Sequence, residues 1–308
     1  MKISLIFPGQ GSQFVGMGKD FYDSFNTAKN VYSELDNTLN RPLSEIIFSG
    51  SEDELRNTIN SQPSIMATSI AIYNTIMKEG LIDKNSIKCV AGHSLGEYSS
   101  LVVNESLSVE DSVKLLDIRS KAMQESMPIG TGGMVALIGK TLIEVEEILP
   151  EIQKIGKIFI ANDNADGQVV LSGEIRVIKY ICENYKKFKI KRAVQLPVSA
   201  PFHCELIQSA SIKLKNEIAG QKFNNFIFPL YSNVTAEPCD NETVKDLLVR
   251  QIVNRVRWRE SIENMIRDGI DYFIEIGPGN VLTNLLKRIN KEVRAISVGT
   301  VEDLKKLN

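Results

Sequence analysis

The pentapeptide Gly92-His93-Ser94-Leu95-Gly96 constrains this chain more than any other stretch. It follows a short apolar run, residues 87–91, and precedes a helix-like stretch that reaches Val103. A strand must therefore turn into a helix within a few residues. G-x-S-x-G in a strand–turn–helix setting is the pattern of a nucleophile elbow. Its glycines let the turn be sharp, and its serine falls at a helix N-terminus, where free N–H groups can stabilise an oxyanion. A plain turn with a capping serine would have the same letters; the flanking strand and helix favour the catalytic reading.

The rest of the chain alternates in the same way. Residues 3–7 read as a buried strand stopped by Pro8-Gly9. Residues 62–78 carry apolar side chains at helical spacing, with Pro63 in a first turn and Gly80 as the stop. Ser108 with Asp111 resembles a capping box that opens a helix to about Met127. After Pro128 and a glycine cluster the order changes. Strand 134–139, helix 141–154 (weakened by Pro150), strands 157–161 and 169–172, helix 174–187 and strand 192–198 give β-α-β-β-α-β. That is the ferredoxin-like order, with a turn-rich loop expected at 162–167. Strands at 226–231 and 272–276 and helices at 244–253 and 281–289 then resume the first rhythm. The expectation is an α/β fold: a large subdomain of residues 1–128 and 198–308, interrupted by a small ferredoxin-like one at 129–197.

Composition removes several function classes. With 308 residues, 43% hydrophobic and 24% charged, the chain is long enough and apolar enough for a sizeable packed core. Its 36 basic and 38 acidic residues nearly cancel, which argues against nucleic acid as a partner. Four dispersed cysteines form no C-x-x-C pair and suit a reducing compartment, so the cytoplasm is expected and no metal site is. No window approaches the ~20 apolar residues of a membrane span, and the apolar start of the chain meets Pro8-Gly9 too early for a signal peptide.

A serine nucleophile needs a base, and only two histidines exist. His93 adjoins Ser94 around a sharp turn and points away from it. His203, in Pro201-Phe202-His203 just beyond a strand, lies where α/β proteins build their sites. No aspartate stands out as a third member, so an amide or a backbone carbonyl is expected to orient the imidazole. Pro8-Gly9-Gln10-Gly11-Ser12-Gln13 fails the dinucleotide fingerprint, because Phe14 stands at the third glycine. Such a loop after the first strand is the usual source of a second oxyanion donor. Gly133 to Thr141 fails the Walker A spacing. Arg119 falls on the apolar face of its helix with Val113, Leu116, Ser120, Met123 and Met127. A buried guanidinium needs an anion; pattern alone leaves a structural salt bridge and a clamp on a substrate carboxylate equally open. The run Lys186, Lys187, Lys189, Lys191 and Arg192 reads as a solvated face that would also suit an acidic partner.

These residues occur in the order of a known family. Phe7-Pro8-Gly9-Gln10-Gly11-Ser12-Gln13, Gly92-His93-Ser94-Leu95-Gly96-Glu97-Tyr98, Arg119, Pro201-Phe202-His203 and Glu275-Ile276-Gly277-Pro278-Gly279 together resemble the malonyl-CoA:acyl-carrier-protein transacylases over essentially the whole chain. The resemblance implies an α/β-hydrolase-like large subdomain with the ferredoxin-like insertion. It implies malonyl transfer from malonyl-CoA to holo acyl carrier protein, an acidic and transient partner, with no cofactor. Ser94 would be the nucleophile, His203 the base, and the N–H groups of Gln10 and Leu95 the oxyanion hole. Arg119 would clamp the malonyl carboxylate, Gln251 would orient His203, and Phe202 would favour malonyl over branched units. Asn162, Asn164 and Gln168 would face the thioester arm. The rivals are an acyltransferase serving a polyketide synthase, a serine hydrolase and a non-catalytic carrier-binding module.

Overall fold

The computed structural model describes residues 1–198 and 200–307. Among these, ten strands form two sheets: β1 (Ile3–Phe7), β2 (Ile87–Gly92), β3 (Gly132–Ile138), β4 (Ile158–Ala165), β5 (Gln168–Glu174), β6 (Arg192–Gln195), β7 (Leu230–Tyr231), β8 (Pro238–Cys239), β9 (Tyr272–Ile276) and β10 (Arg294–Val298). The larger sheet has the order β10-β9-β1-β2-β7-β8 and is parallel except for its last pair. Its central strand is buried along its whole length, as a strand covered on both faces by helices must be. The Thr58–Lys78 helix is buried for most of its length and packs in the same core.

The smaller sheet has the order β4-β5-β3-β6 and is antiparallel throughout. Side chains alternate across β3 as the pleat requires. Val135 and Leu137 pack with Val145 and Ile152 of the Leu142–Gln153 helix and Val177, Ile178 and Ile181 of the Ile175–Asn184 helix. Met134 and Ala136, on the other face, join the core of the larger body. The small sheet thus has helices on one side and the large lobe on the other. Asp163 of β4 is fully buried and accepts from Nε and Nη2 of Arg259 on the Trp258–Arg267 helix, with Nη2 at 2.9 Å. Backbone bonds between Asp163 and Val256 and between Val256 and Ala161 stitch the same seam.

Several boundaries differ from the sequence reading. Asn162 to Ala165 are the end of β4, not a loop, and only Asp166-Gly167 turns; partners across the lobe seam override the turn composition. The helix expected from residue 62 starts at Thr58, where Asn57 Oδ1 accepts the Ile59 N–H at 3.1 Å, so Pro63 stands in the second turn. Strand β6 stops at Gln195, and the helix after β5 stops at Asn184. Thr141, tempting as part of a phosphate loop, caps a helix through a reciprocal pair with Glu144. Helices at Asn26–Leu39 and Gln208–Gly220, and strand β10, lay outside the sequence reading.

The motif Glu275-Ile276-Gly277-Pro278-Gly279 is a brace. Glu275 accepts the Leu282 and Thr283 N–H groups at 3.0 and 2.8 Å and so caps the Val281–Ile289 helix. Gly277, at φ 144°, lies so close to Pro8 and Ser69 that a side chain there would collide with both. The loop after β1 is held by this contact.

Candidate active site

The elbow is built by close backbone approach. A Cβ on Gly92 would lie 1.8 Å from the carbonyl carbon of Gly96, and one on Gly96 would lie 2.3 Å from the Phe7 carbonyl oxygen. Both positions therefore require glycine. Ser94 is held at φ 54°, in the left-handed region, a strain that sites hold only when their surroundings over-determine it. Those surroundings are visible. The Ser94 N–H donates to Asn233 Oδ1 at 2.7 Å, and Asn233 Nδ2 donates to the Gly92 carbonyl at 2.8 Å.

Ser94 Oγ lies 2.8 Å from His203 Nε2, and His203 Nδ1 lies 2.9 Å from the Gln251 carbonyl oxygen. The carbonyl can only accept, so Nδ1 carries the proton and Nε2 is free to take the serine's. It is the backbone of Gln251, not its side chain, that fixes this tautomer. His203 also adopts a positive φ, 60°. Burial, and next the nearby Arg119 charge, lower its pKa to about 3, so the ring is neutral at pH 7.

Of the two readings its sequence pattern left open, Arg119 does not show the structural salt bridge. It is 1% exposed and among the described residues makes no salt bridge. Nη1 donates to Gln62 Oε1 at 2.6 Å; Nη2 donates to Gln251 Oε1 at 2.8 Å and to Ser94 Oγ at 3.0 Å. Its Nε has no partner among the described residues. A buried cation beside the serine is thus held by neutral oxygens, with its Nε unpartnered. Beneath it, Glu97 is buried and accepts from the Asn233 N–H and, at 2.7 Å, from Gln251 Nε2. Burial pushes the Glu97 carboxyl up, to about 8. That rise holds even though the Asn233 N–H, the Arg119 charge and the Gln251 amide all pull it down, and both oxygens accept N–H bonds.

A cavity of about 170 Å³ opens on these groups. Gln10, Leu95, Phe202, Met123, Asn162 and Asn164 line it with Ser94, His203 and Arg119. The backbone N–H groups of Gln10 and Leu95 meet no acceptor among the described residues. His93 turns away from Ser94, as expected: its Nε2 meets Asn164 Oδ1 at 2.9 Å and its ring packs on Trp258. Gln168 departs from expectation. It does not line the cavity; its Oε1 accepts from Arg288 Nη1 at 2.6 Å, because the first residue of β5 lies beside the Val281–Ile289 helix. Sequence reasoning missed Gln62, Asn233 and the buried role of Glu97. Only Glu97 carried a signal, as an acid in the first turn of the elbow helix. The four cysteines are free. Among the described residues no cluster of His, Cys, Asp and Glu suits a metal ion, and no helix is long and apolar enough to cross a membrane.

A Ser–His pair at a strained elbow, beside a cavity lined by two residues whose backbone N–H groups are unpaired, is an arrangement suited to serine acyl transfer. The family model of the acyl transferase domain matches residues 4–306, and the chain belongs to this family. Within it, the similarity runs to the malonyl CoA-acyl carrier protein transacylases. The protein of that name from Bacillus subtilis is 38% identical over 305 residues, covering 98% of this chain and 95% of its own. The acyl-carrier-protein-S-malonyltransferase of Bartonella henselae superposes with a TM-score of 0.95 at 44% identity, covering 99% of this chain and 98% of its own. A malonyl-transacylase in complex with its holo type II PKS acyl-carrier protein superposes with a TM-score of 0.95 at 34% identity, over 100% of this chain and 99% of its own.

Proposed function

We propose that this acyltransferase moves the malonyl group from malonyl-CoA to the pantetheine thiol of acyl carrier protein, through a malonyl ester on Ser94. The observation that carries the reading is Arg119: a buried guanidinium 3.0 Å from the serine oxygen, left un-neutralised, with its Nε unpaired. An unpaired buried donor costs about 1–3 kcal/mol. A carboxylate on the acyl group would relieve that cost with a charge-assisted bond.

The steps follow from the positions. His203 Nε2 takes the Ser94 proton as Oγ attacks the thioester carbon. The oxyanion forms against the N–H groups of Gln10 and Leu95. The C–S bond then breaks, the imidazolium protonates the coenzyme A sulfur, and the malonyl ester remains. The carrier thiol enters, gives its proton to His203 and attacks the ester; collapse returns the proton to Ser94. No step draws on a metal or a redox group. The malonyl carboxylate, once paired with Arg119, offsets the charge that helps to depress His203, so substrate binding itself makes the base stronger. Phe202 narrows the cavity against branched acyl groups, and Asn162 and Asn164 face the thioester arm; Gln168 has no place in this role.

The four-stranded sheet and its two helices, residues 129–197, we read as a ferredoxin-like subdomain inserted into an α/β-hydrolase-like one of residues 1–128 and 198–308; the two sheet orders support that division. The carrier would be an acidic, transient partner, and the reaction cytoplasmic, supplying fatty acid synthesis. The relative solved with a type II PKS carrier favours a second reading, service to a polyketide synthase, which the same site would perform. The test is peptide mass spectrometry after brief exposure to malonyl-CoA, acetyl-CoA or methylmalonyl-CoA. A malonyl adduct on the Ser94 peptide, absent in Ser94→Ala and discharged by holo carrier protein, is expected. Free malonate accumulating without carrier acylation would overturn transfer in favour of hydrolysis.

A further inference from the structure

Gln251 touches three groups of the site: its carbonyl holds His203, Oε1 holds Arg119, and Nε2 reaches the Ser94 carbonyl at 2.9 Å. An amide can be turned end for end at little steric cost. Something must decide that oxygen, not nitrogen, faces the guanidinium.

We propose that Glu97 is a positioning residue that sets selectivity for a charged acyl group: it fixes the direction of the Gln251 amide and thereby the aim of Arg119. The inference rests on the malonyl-transfer reading. Glu97 sits on the first turn of the Gly96–Val103 helix, 1% exposed, below the elbow. Both of its oxygens act as acceptors here. With the Ser94 carbonyl, at 2.9 Å, Glu97 takes the Gln251 Nε2 hydrogens, at 2.7 Å, and Oε1 is left for Arg119 Nη2. The other Glu97 oxygen takes the Asn233 N–H, and Asn233 in turn holds the Ser94 N–H. One acidic side chain thus ties the clamp to the elbow without touching the substrate, and it forms no hydrogen bond or ion pair with Arg119 itself.

Glutamine at 97 cannot replace it. With one oxygen and one NH₂, it accepts from either Asn233 or Gln251, never both. If its oxygen stays on Asn233, its NH₂ opposes the Gln251 NH₂, and that amide either shifts aside and carries Oε1 with it or turns, giving up the Ser94 carbonyl and pointing NH₂ at Arg119. Either way the Oε1 contact that aims the guanidinium is lost, and the guanidinium would swing from the acyl carboxylate.

The experiment measures kcat/KM for malonyl-CoA and acetyl-CoA, with holo carrier protein, in wild type, Glu97→Gln, Arg119→Ala and the double variant. Malonyl transfer should fall about 10²-fold in Glu97→Gln, the scale of an ångström-sized misplacement of a substrate-holding group. Acetyl transfer should fall far less, so the malonyl-to-acetyl ratio collapses. In the Arg119→Ala background, Glu97→Gln should leave that ratio where it was, because the two changes act through one contact. Glu97→Asp, which keeps a carboxyl group, should retain the wild-type ratio and serves where Glu97→Gln does not fold. An equal fall for both acyl donors, a ratio effect that persists without Arg119, or lost selectivity in Glu97→Asp would each overturn the proposal. Failure of the transfer reading looks different: wild type itself would acylate no carrier thiol.

Discussion

Replacing His203 should make the protein less sensitive to acid. The imidazole is 4% exposed, and burial followed by the Arg119 charge lowers its pKa to about 3. In an unfolded chain it would titrate near 6.5. Between those values the unfolded chain binds a proton that the folded one refuses. Stability therefore drops as pH falls from 6.5 toward 3, at about 1.4 kcal/mol per pH unit, and levels off below. Over the whole window that is about 5 kcal/mol, and between pH 7.5 and 5.5 about 1.4 kcal/mol. His203→Asn removes the titration while keeping a residue that tolerates the left-handed backbone at φ 60°. Urea unfolding of both proteins at the two pH values gives four free energies, with equal m values as the check on two-state behaviour. Lowering the pH should shift the difference between the two proteins by about 1.4 kcal/mol in favour of the variant. Parallel behaviour would mean that the folded ring takes up its proton normally, which would refute the buried, neutral base. Imidazole NMR gives a direct check. With two histidines in the chain, both lowered by burial, neither ring should titrate near pH 6.5.

Two further outcomes follow from the packing. Gly96→Ala places a methyl against the Phe7 and Pro8 carbonyl oxygens, which should cost about 1–3 kcal/mol and lower the thermal midpoint by several degrees; an unchanged midpoint would contradict the close approach of elbow and loop. Arg259→Ala strands the buried Asp163 carboxylate at the lobe seam and should destabilise by about 3–5 kcal/mol. Adding Asp163→Asn should recover much of that loss in the same denaturation assay, and strictly additive effects would rule out the latch.

Much of this architecture can be read from the sequence because its signals are local. Strand β1 and the glycines at 92 and 96 declare themselves through short-range pattern. Arg119 stands out as a charge on an apolar helix face. What resists reading depends on partners far along the chain. Asn162-Asp163-Asn164 has the composition of a turn, yet it is strand, because Asn164 meets His93 and Asp163 meets Arg259 across the seam. Gln62 lies at the start of the apolar stretch of its helix, and nothing local says that its oxygen faces Arg119 57 residues away. Gln251 lies on an amphipathic helix whose sequence cannot tell whether its side chain or its carbonyl meets His203; both parts turn out to be used, on different partners. The helices at Leu43–Ser49 and Glu52–Arg56 are too short to show a period.

The missing aspartate has a physical reason on the proposed reading. A carboxylate is the common partner of a catalytic imidazole, because it fixes the tautomer and stabilises the imidazolium. At this site it would add a negative charge near Arg119, whose own charge already lowers the His203 pKa. That charge would offset the guanidinium in the free enzyme and weaken its pull on the acyl carboxylate. Gln62, Gln251 and Ser94 instead offer neutral oxygens, which aim the guanidinium and leave its charge uncompensated. The same uncompensated charge lowers the basicity of His203. Both costs are relieved by one event, the arrival of an acyl group that carries its own carboxylate. An uncharged acyl group relieves neither. Selectivity therefore extends from binding to the proton transfer itself, and a carboxylate beside the imidazole would weaken it at both stages.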